Sequence, residues 1–171
     1  MAIRRSKRPV GTARLRTLAA GLLDASTLCA IATVSPSGRA HINTAYFAWS
    51  ADFDLVWLSE PSSGHSRNLR TNASAAIAVF DSTQQWGKPD RGIQLFGSAR
   101  EAAGAAESTY AGRFPDYHDL ELGAYRFYRF RPRRLKLFDE HELGSGVFVT
   151  ARVSRGRLAW ERTEIYDGRS A

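Results

Sequence analysis

The order of apolar and polar positions along the chain predicts a mainly β protein. Short runs rich in β-branched and aromatic residues are separated by Gly, Pro, Ser and Asp positions that favour turns. The runs predict strands at Thr27–Val34, residues 39–49, Leu55–Leu58, Ala75–Phe80, Ile93–Arg100, Tyr125–Phe138, Val147–Arg155 and Leu158–Ile165. Consecutive strands joined by tight turns are typical of an antiparallel barrel or sandwich.

Three segments have the pattern of helices instead. Leucines recur at helical spacing from Thr12 to Asp24. Ser62 or Ser63 is placed to cap a short helix that runs to about Asn72. Residues 101–113 predict a third helix despite two glycines.

The composition indicates one folded domain. The chain has 171 residues, of which 43% are hydrophobic and 24% charged, and this excludes disordered and collagen-like classes. No apolar run approaches the roughly 20 residues of a membrane-spanning helix. We expect a basic, disordered tail over residues 1–11 and a single domain over residues 12–171. Because the N-terminal residues lack the apolar core of a signal peptide, we also expect a cytoplasmic protein.

The net charge of +7 is concentrated in two segments. Residues 1–16 and residues 126–136 each carry six Lys or Arg residues and no acid. Such a split is typical of nucleic-acid binders, but no zinc finger, RNP-type run or Gly-x-x-Gly loop accompanies it. Because Arg129, Arg131 and Arg133 alternate along a predicted strand, we interpret that segment as a solvent-facing surface. Nucleic-acid binding remains a weaker alternative.

Cysteine and histidine positions predict neither a metal site nor a nucleophile. The single cysteine, Cys29, lies in an apolar run and is interpreted as a buried, inert thiol. The four histidines are scattered, without His-x-x-x-His or Cys-x-x-Cys spacing.

The segment most suggestive of chemistry is the strand–loop–helix unit over residues 56–70. Its predicted helix begins near Ser63, Gly64 and His65. A helix N-terminus presents backbone N–H groups without intrahelical partners and a partial positive charge. With serine hydroxyls, a glycine and a histidine beside it, such a start is suited to a phosphate. The alternative is that Ser63 only caps the helix and His65 lies in solvent.

Several motifs occur in an order that resembles the FMN-binding split-barrel family, which includes the pyridoxamine 5'-phosphate oxidases and their deazaflavin-using relatives. They are Leu28-Cys-Ala-Ile-Ala-Thr-Val34, Ser37-Gly-Arg-Ala-His-Ile-Asn-Thr-Ala-Tyr-Phe47, Val56-Trp-Leu-Ser59, Ser63-Gly-His-Ser-Arg-Asn-Leu69, Ala75-Ala-Ile-Ala-Val-Phe80 and Ile93-Gln-Leu-Phe-Gly-Ser-Ala99. The resemblance covers about residues 12–138. It implies a six-stranded antiparallel split β-barrel with flanking short helices. It also implies a homodimer with the cofactor at the subunit interface.

The resemblance implies ten residues that contact flavin mononucleotide (FMN). In this family one strand lies along the flavin, and a hydroxyl residue that ends the next strand contacts the phosphate. A triplet of residues at the start of the following helix binds the phosphate, and a later strand supplies a polar residue that contacts the cofactor. The matching positions are Asn43, Thr44, Ala45 and Tyr46, then Leu58 and Ser59, then Ser63, Gly64 and His65, and finally Gln94.

Three departures from the family pattern bear on this assignment. Ala48 replaces a lysine that binds the oxidase substrate, so the substrate differs from pyridoxamine phosphate. The Arg-x-His segment of the oxidases is not recognisable among residues 147–171. His65 stands where the family has lysine, and this substitution predicts pH-dependent cofactor binding.

The expected function is that of an FMN-dependent oxidoreductase acting on an unidentified small organic substrate. One alternative is a reductase that uses the deazaflavin F420 on the same barrel. Another is a non-catalytic protein that binds flavin or haem. No Ser/His/Asp-type constellation suggests a hydrolase.

Overall fold

The computed structural model describes residues 2–6, 8–119 and 122–167. Nine strands are present: β1 (Ala2–Ser6), β2 (Leu28–Val34), β3 (Ala40–Trp49), β4 (Leu55–Ser59), β5 (Ser74–Phe80), β6 (Arg91–Ala102), β7 (Arg126–Asp139), β8 (Val147–Ser154) and β9 (Arg157–Asp167). The helices are α1 (Thr12–Asp24), α2 (Gly64–Thr71), α3 (Ala105–Arg113) and α4 (Glu140–Leu143), with short 3-10 turns at Pro115–Asp119 and Leu122–Ala124.

Strands β2 to β7 form a closed six-stranded antiparallel barrel, which confirms the predicted fold class. Their order is β7-β4-β3-β2-β5-β6, and pairing of β6 with β7 closes the barrel. Gly97 makes this closure possible, because a Cβ there would overlap the Arg131 carbonyl and lie 2.8 Å from the Cα of Pro132. The three extra strands continue beyond β7 in the order β8, β9, β1.

Strand β1 replaces part of the expected disordered tail. Ala2–Ser6 pairs antiparallel with β9, and its register places Ile3 opposite Tyr166 and Arg5 opposite Glu164. Opposite charges and apolar pairs across neighbouring strands stabilise such a ladder. The strand depends on a partner near the other end of the chain, so no local pattern could predict it.

Helix α3 is shorter than the sequence predicted. Residues 101 and 102 still belong to β6, and the helix starts only at Ala105. Gly104 separates the two elements with a φ of +62°, a conformation that glycine adopts without strain. The predicted hairpin about Gly156 is present, and Arg155 and Gly156 both have positive φ, as a two-residue hairpin loop of type I′ requires.

The chain groups into two compact units. The first comprises Met1–Ser26, Ala78–Leu95 and Arg133–Ala171. In this unit α1 packs against β9 and buries an apolar stripe that includes Leu15 and Leu23. These leucines recur at the helical spacing from which α1 was predicted.

The second unit comprises Thr27–Ile77 and Phe96–Pro132. Its largest buried side chain is Trp57, whose ring stacks on Tyr128 at a centroid distance of 5.7 Å. Helix α3 packs on β3 and β4 through a cluster that contains Ala48 and Tyr110. The expected single domain over residues 12–171 stays a prediction. Of the helices in the described ranges, none is both long and apolar enough to span a bilayer.

Candidate functional site

The start of α2 is built by a serine cap. Ser63 has extended backbone angles, with φ −64° and ψ 155°, and its side chain accepts a hydrogen bond from Ser66 N at 3.4 Å. Serine is among the preferred residues at this position because its oxygen satisfies an N–H group that has no intrahelical partner. Of the two serines that the sequence offered, Ser63 is therefore the cap.

The segment 59–66, called here the β4–α2 turn, gathers hydroxyl and imidazole groups around Ser63. The Oγ of Ser63 lies 3.4 Å from the Oγ of Ser59, 2.8 Å from the Oγ of Ser66 and 3.3 Å from His65 Nε2. These groups surround the first N–H groups of α2, which carry partial positive charge. The turn thus offers neutral hydrogen-bond donors to an anion.

A buried hydrogen bond attaches α2 to the barrel. The Asn68 amide donates from Nδ2 to Thr33 Oγ1 at 3.0 Å, and both side chains are buried. The two arginines of the helix instead donate to carbonyls of the preceding turn: Arg67 to Ser62 and Arg70 to Pro61. Hydrogen bonds therefore join α2 both to β2 and to the turn that precedes the helix, and they fix the position of that turn.

His41, on β3, lies against the first residue of α2. A Cβ built on Gly64 would be 2.7 Å from His41 Nε2, so only glycine leaves room for the imidazole. The other ring nitrogen, Nδ1, is buried, and no residue in the described ranges hydrogen bonds to it. The absence of a side chain at Gly64 thus leaves space for the His41 imidazole, a role that the sequence did not indicate.

A cleft of about 400 Å³ opens beside the β4–α2 turn. Eight of the ten residues implied by the family resemblance line it: Asn43, Thr44, Ala45, Tyr46, Leu58, Ser59, Ser63 and His65. Gly64 does not line the cleft but lies in the same turn, against His41. Gln94 is exposed on β6 and is not among the lining residues. That these residues hold a cofactor stays a prediction.

Three further residues line the cleft that sequence reasoning missed: Glu60, Tyr110 and Tyr125. Tyr110 comes from α3, where Phe114 packs on it at 4.9 Å and on Tyr46 at 5.9 Å between ring centroids. No sequence signal could have placed Tyr110, because the packing of α3 on β3 joins residues far apart in the chain. Tyr125 directly precedes Arg126, which pairs with Ser59 across β4 and β7. Glu60 follows Ser59 directly in the sequence, so its place in the cleft could have been predicted from that neighbour.

The described residues give the cleft no fixed positive charge. Those that line it include Glu60 but no lysine or arginine. Burial, with a smaller contribution from His41, lowers the pKa of His65 below its usual 6.5, so this imidazole is neutral at pH 7. Burial also raises the pKa of Tyr110, with Tyr46 as the smaller cause, and keeps its hydroxyl protonated.

Clustered metal ligands and the single cysteine are two further features that could carry chemistry. Within the described ranges no three His, Cys, Asp or Glu side chains come together as a metal site would need. Burial raises the pKa of the Cys29 thiol to about 12, which agrees with an inert cysteine.

Most cations of the basic segment over residues 126–136 are paired with carboxylates from other segments of the chain. Five of its six cations approach carboxylates: Arg126 with Glu101 at 3.6 Å, Arg129 and Arg131 with Asp54 at 3.9 and 3.7 Å, Arg134 with Glu161 at 3.1 Å and Lys136 with Glu164 at 3.4 Å. These pairs reduce the unbalanced charge that the sequence alone displays.

Similar structures share this barrel. A haem-binding protein from Mycobacterium smegmatis is 18% identical with a TM-score of 0.66, over 88% of this chain and 60% of that chain. A protein related to general stress protein 26, of the pyridoxinephosphate oxidase family, from Clostridium acetobutylicum is 13% identical with a TM-score of 0.63, over 82% and 95%. A FAD-binding protein from Mesorhizobium loti is 16% identical with a TM-score of 0.57, over 79% and 96%.

At these identities the similar structures establish the fold alone. Comparison with curated proteins finds no match. The family model described as pyridoxamine 5'-phosphate oxidase matches residues 15–139, which include the β4–α2 turn and every residue that lines the cleft. This chain therefore belongs to the pyridoxamine 5'-phosphate oxidase family.

Proposed function

We propose that the protein binds FMN in the cleft and acts as an oxidoreductase on a small organic substrate. The single observation that carries this proposal is the convergence of the Ser59 and Ser63 hydroxyls on the first turn of α2, at the mouth of a 400 Å³ cleft. Hydroxyl groups and helix N–H groups are suited to a phosphate. A flavin, when bound, supplies hydride acceptance and donation.

The described residues supply several, but not all, of the groups that FMN binding needs. Ser59, Ser63 and the N–H groups of α2 form the donor set that a phosphate needs, and Gly64 keeps the start of the helix accessible to His41. The polar β3 segment around Asn43 and the tyrosines of the cleft would line the flavin ring. Among the residues that the structure describes, no lysine or arginine lines the cleft, and the two arginines of α2, Arg67 and Arg70, donate to backbone carbonyls.

The proposal includes a homodimer, because one face of the barrel is apolar and exposed. The β2–β3 face consists of the outward residues Leu28, Ala30, Ala32, Ile42, Thr44 and Tyr46, which pair across the two strands. Ile42 is 72% exposed and Tyr46 57%. Soluble proteins rarely leave such a patch uncovered. Thr44 and Tyr46 also line the cleft, so a second copy on this face would complete its wall.

The test is an absorbance spectrum of the purified protein, followed by titration with FMN, riboflavin, F420 and haem. We expect flavin absorbance bands and quenching of FMN fluorescence on binding. Ser63→Ala should weaken FMN binding at least about tenfold, since it removes a hydrogen bond to a charged group. Ser62→Ala is the matched control, because the Ser62 hydroxyl donates to Glu60 instead. Binding of haem or F420 without FMN would overturn the proposal in favour of that ligand.

A further inference from the structure

The β4–α2 turn must hold an anion without a permanent cation. Among the described residues no lysine or arginine lines the cleft, and Glu60 adds a negative charge to its lining. A phosphate ester carries about 1.5 to 2 negative charges at neutral pH, with a second pKa near 6. Neutral donors and the helix N-terminus compensate only part of that charge. A histidine at the turn can supply positive charge by gaining a proton.

We infer that the turn is a proton-linked anion site, in which His65 takes up a proton as the phosphate enters and His41 donates a hydrogen bond from Nε2 at the start of α2. This inference rests on the proposed binding of FMN. It assigns His41, which neither the family resemblance nor the lining of the cleft included, as a further binding residue.

His65 is the group placed to gain the proton. Its side chain is 3% exposed, and both ring nitrogens lie within 3.4 Å of Ser63 Oγ, the capping oxygen. In the absence of a ligand, burial and His41 keep the imidazole neutral. An anion within about 4 to 6 Å favours the charged form, so its arrival reverses that balance.

The titratable and charged groups around His65, as far as the structure describes the chain, come from β2, β7, α2 and the cleft. From β7, Tyr128 packs edge-on against its ring at a centroid distance of 6.3 Å. Strand β2, which packs on α2, carries no charged residue, and Cys29, its one titratable group, stays protonated. The cleft contributes Glu60 and three tyrosines, Tyr46, Tyr110 and Tyr125. The arginines of α2 donate to carbonyls of the turn.

His41 is positioned to donate a hydrogen bond from Nε2 at the start of α2. Its buried Nδ1 finds no acceptor among the described residues, so a proton on that atom would be unsatisfied. The proton therefore belongs on Nε2, the nitrogen that lies against Gly64.

The test compares FMN with riboflavin, which lacks the phosphate, between pH 6.5 and 8.5. This range lies above the phosphate's own second pKa. For uptake of one proton, the FMN dissociation constant rises up to about tenfold per pH unit, whereas riboflavin binding stays flat. Calorimetry in two buffers of different ionisation enthalpy, without phosphate, then counts the protons taken up with FMN.

Variants separate the two histidines. His65→Asn should abolish proton uptake and make FMN binding independent of pH. His41→Phe should weaken FMN about fivefold at every pH, as loss of one neutral hydrogen bond does, with the proton count unchanged. His141→Asn is the matched control, since this exposed histidine of α4 should leave both quantities unaltered.

The outcomes distinguish this inference from the proposed function. FMN and riboflavin bound with equally flat pH profiles would overturn the proton-linked site and leave flavin binding intact. An uptake that persists in His65→Asn would also overturn it. Failure of both ligands to bind would overturn the proposed function and this inference together.

Discussion

The imidazole of His41 occupies the space that a side chain at residue 64 would need. A Cβ on Gly64 would lie 2.7 Å from Nε2 and 3.2 Å from Cε1 of His41. Separations under about 3 Å force one group to move, and His41 is half-buried on β3. We therefore predict that Gly64→Ala displaces the imidazole from the start of α2 and weakens FMN binding roughly tenfold, as measured by fluorescence titration.

A second helical glycine serves as the control for that prediction. Gly112 in α3 has no atom within 4 Å of an added Cβ. Gly112→Ala should leave binding unchanged and raise the free energy of unfolding by about 0.5 to 1 kcal/mol, as the loss of glycine from a helix does. Equal affinities in the two variants would show that His41 is not needed at the turn.

The hydrogen bond from Asn68 to Thr33 should stabilise the fold. Its length is 3.0 Å and its two partners are 6% and 2% exposed, respectively. Thr33→Val keeps the shape but leaves a buried amide without its acceptor, which costs about 1 to 3 kcal/mol. Urea unfolding measures the difference. Thr109→Val in α3 removes a solvent-exposed hydrogen bond to the Ala105 carbonyl and should stay within about 0.5 kcal/mol of the parent, and a similar loss in both variants would contradict the prediction.

Local patterns were enough to predict much of the barrel. The leucine spacing of α1, the β-branched run of β2 and the serine cap of α2 each depend on residues close together in the chain. The antiparallel register of β2 with β3 follows from a tight turn at Gly38, whose φ is +79°. Local physics therefore positions both the strand and the turn that border the cleft.

Features that depend on distant partners could not be predicted. Strand β1 forms by pairing with β9, near the other end of the chain, and Tyr110 reaches the cleft because α3 packs on β3. Alternation along β3 puts His41 on the same side as Asn43, whereas its contact with Gly64 depends on α2 meeting that strand. Gln94 was assigned only from the family pattern, and it is exposed on β6. A site residue assigned from a family pattern therefore also needs the packing around it to be known.

The ligand-free protein should lose stability as the pH falls below about 6.5. Burial lowers the pKa of His65 in the folded state, so the unfolded chain binds the proton more readily. The free energy of unfolding is therefore fully retained above pH 6.5 and declines from there down through the lowered value. Urea midpoints at pH 7.5, 6.5 and 5.5 measure this decline. His65→Gln should reduce it and His141→Gln should not, and an unchanged slope in His65→Gln would assign the decline to other groups.

The β2–β3 face predicts the oligomeric state. Ile42 is 72% exposed and lies opposite Ala32 in the register of the two strands. In a two-fold dimer this residue occurs twice at the interface, so Ile42→Glu buries two unpaired charges and should raise the dimer dissociation constant roughly 100-fold or more. Ile3 on β1 is 58% exposed and provides the matched isoleucine away from that face. Light scattering during size-exclusion chromatography should find monomers for Ile42→Glu and dimers for Ile3→Glu.

Because Thr44 and Tyr46 belong both to the face and to the cleft, the monomer should also bind FMN more weakly. Dimers that persist in Ile42→Glu would locate the interface on another surface, and the cleft would then be complete within one chain.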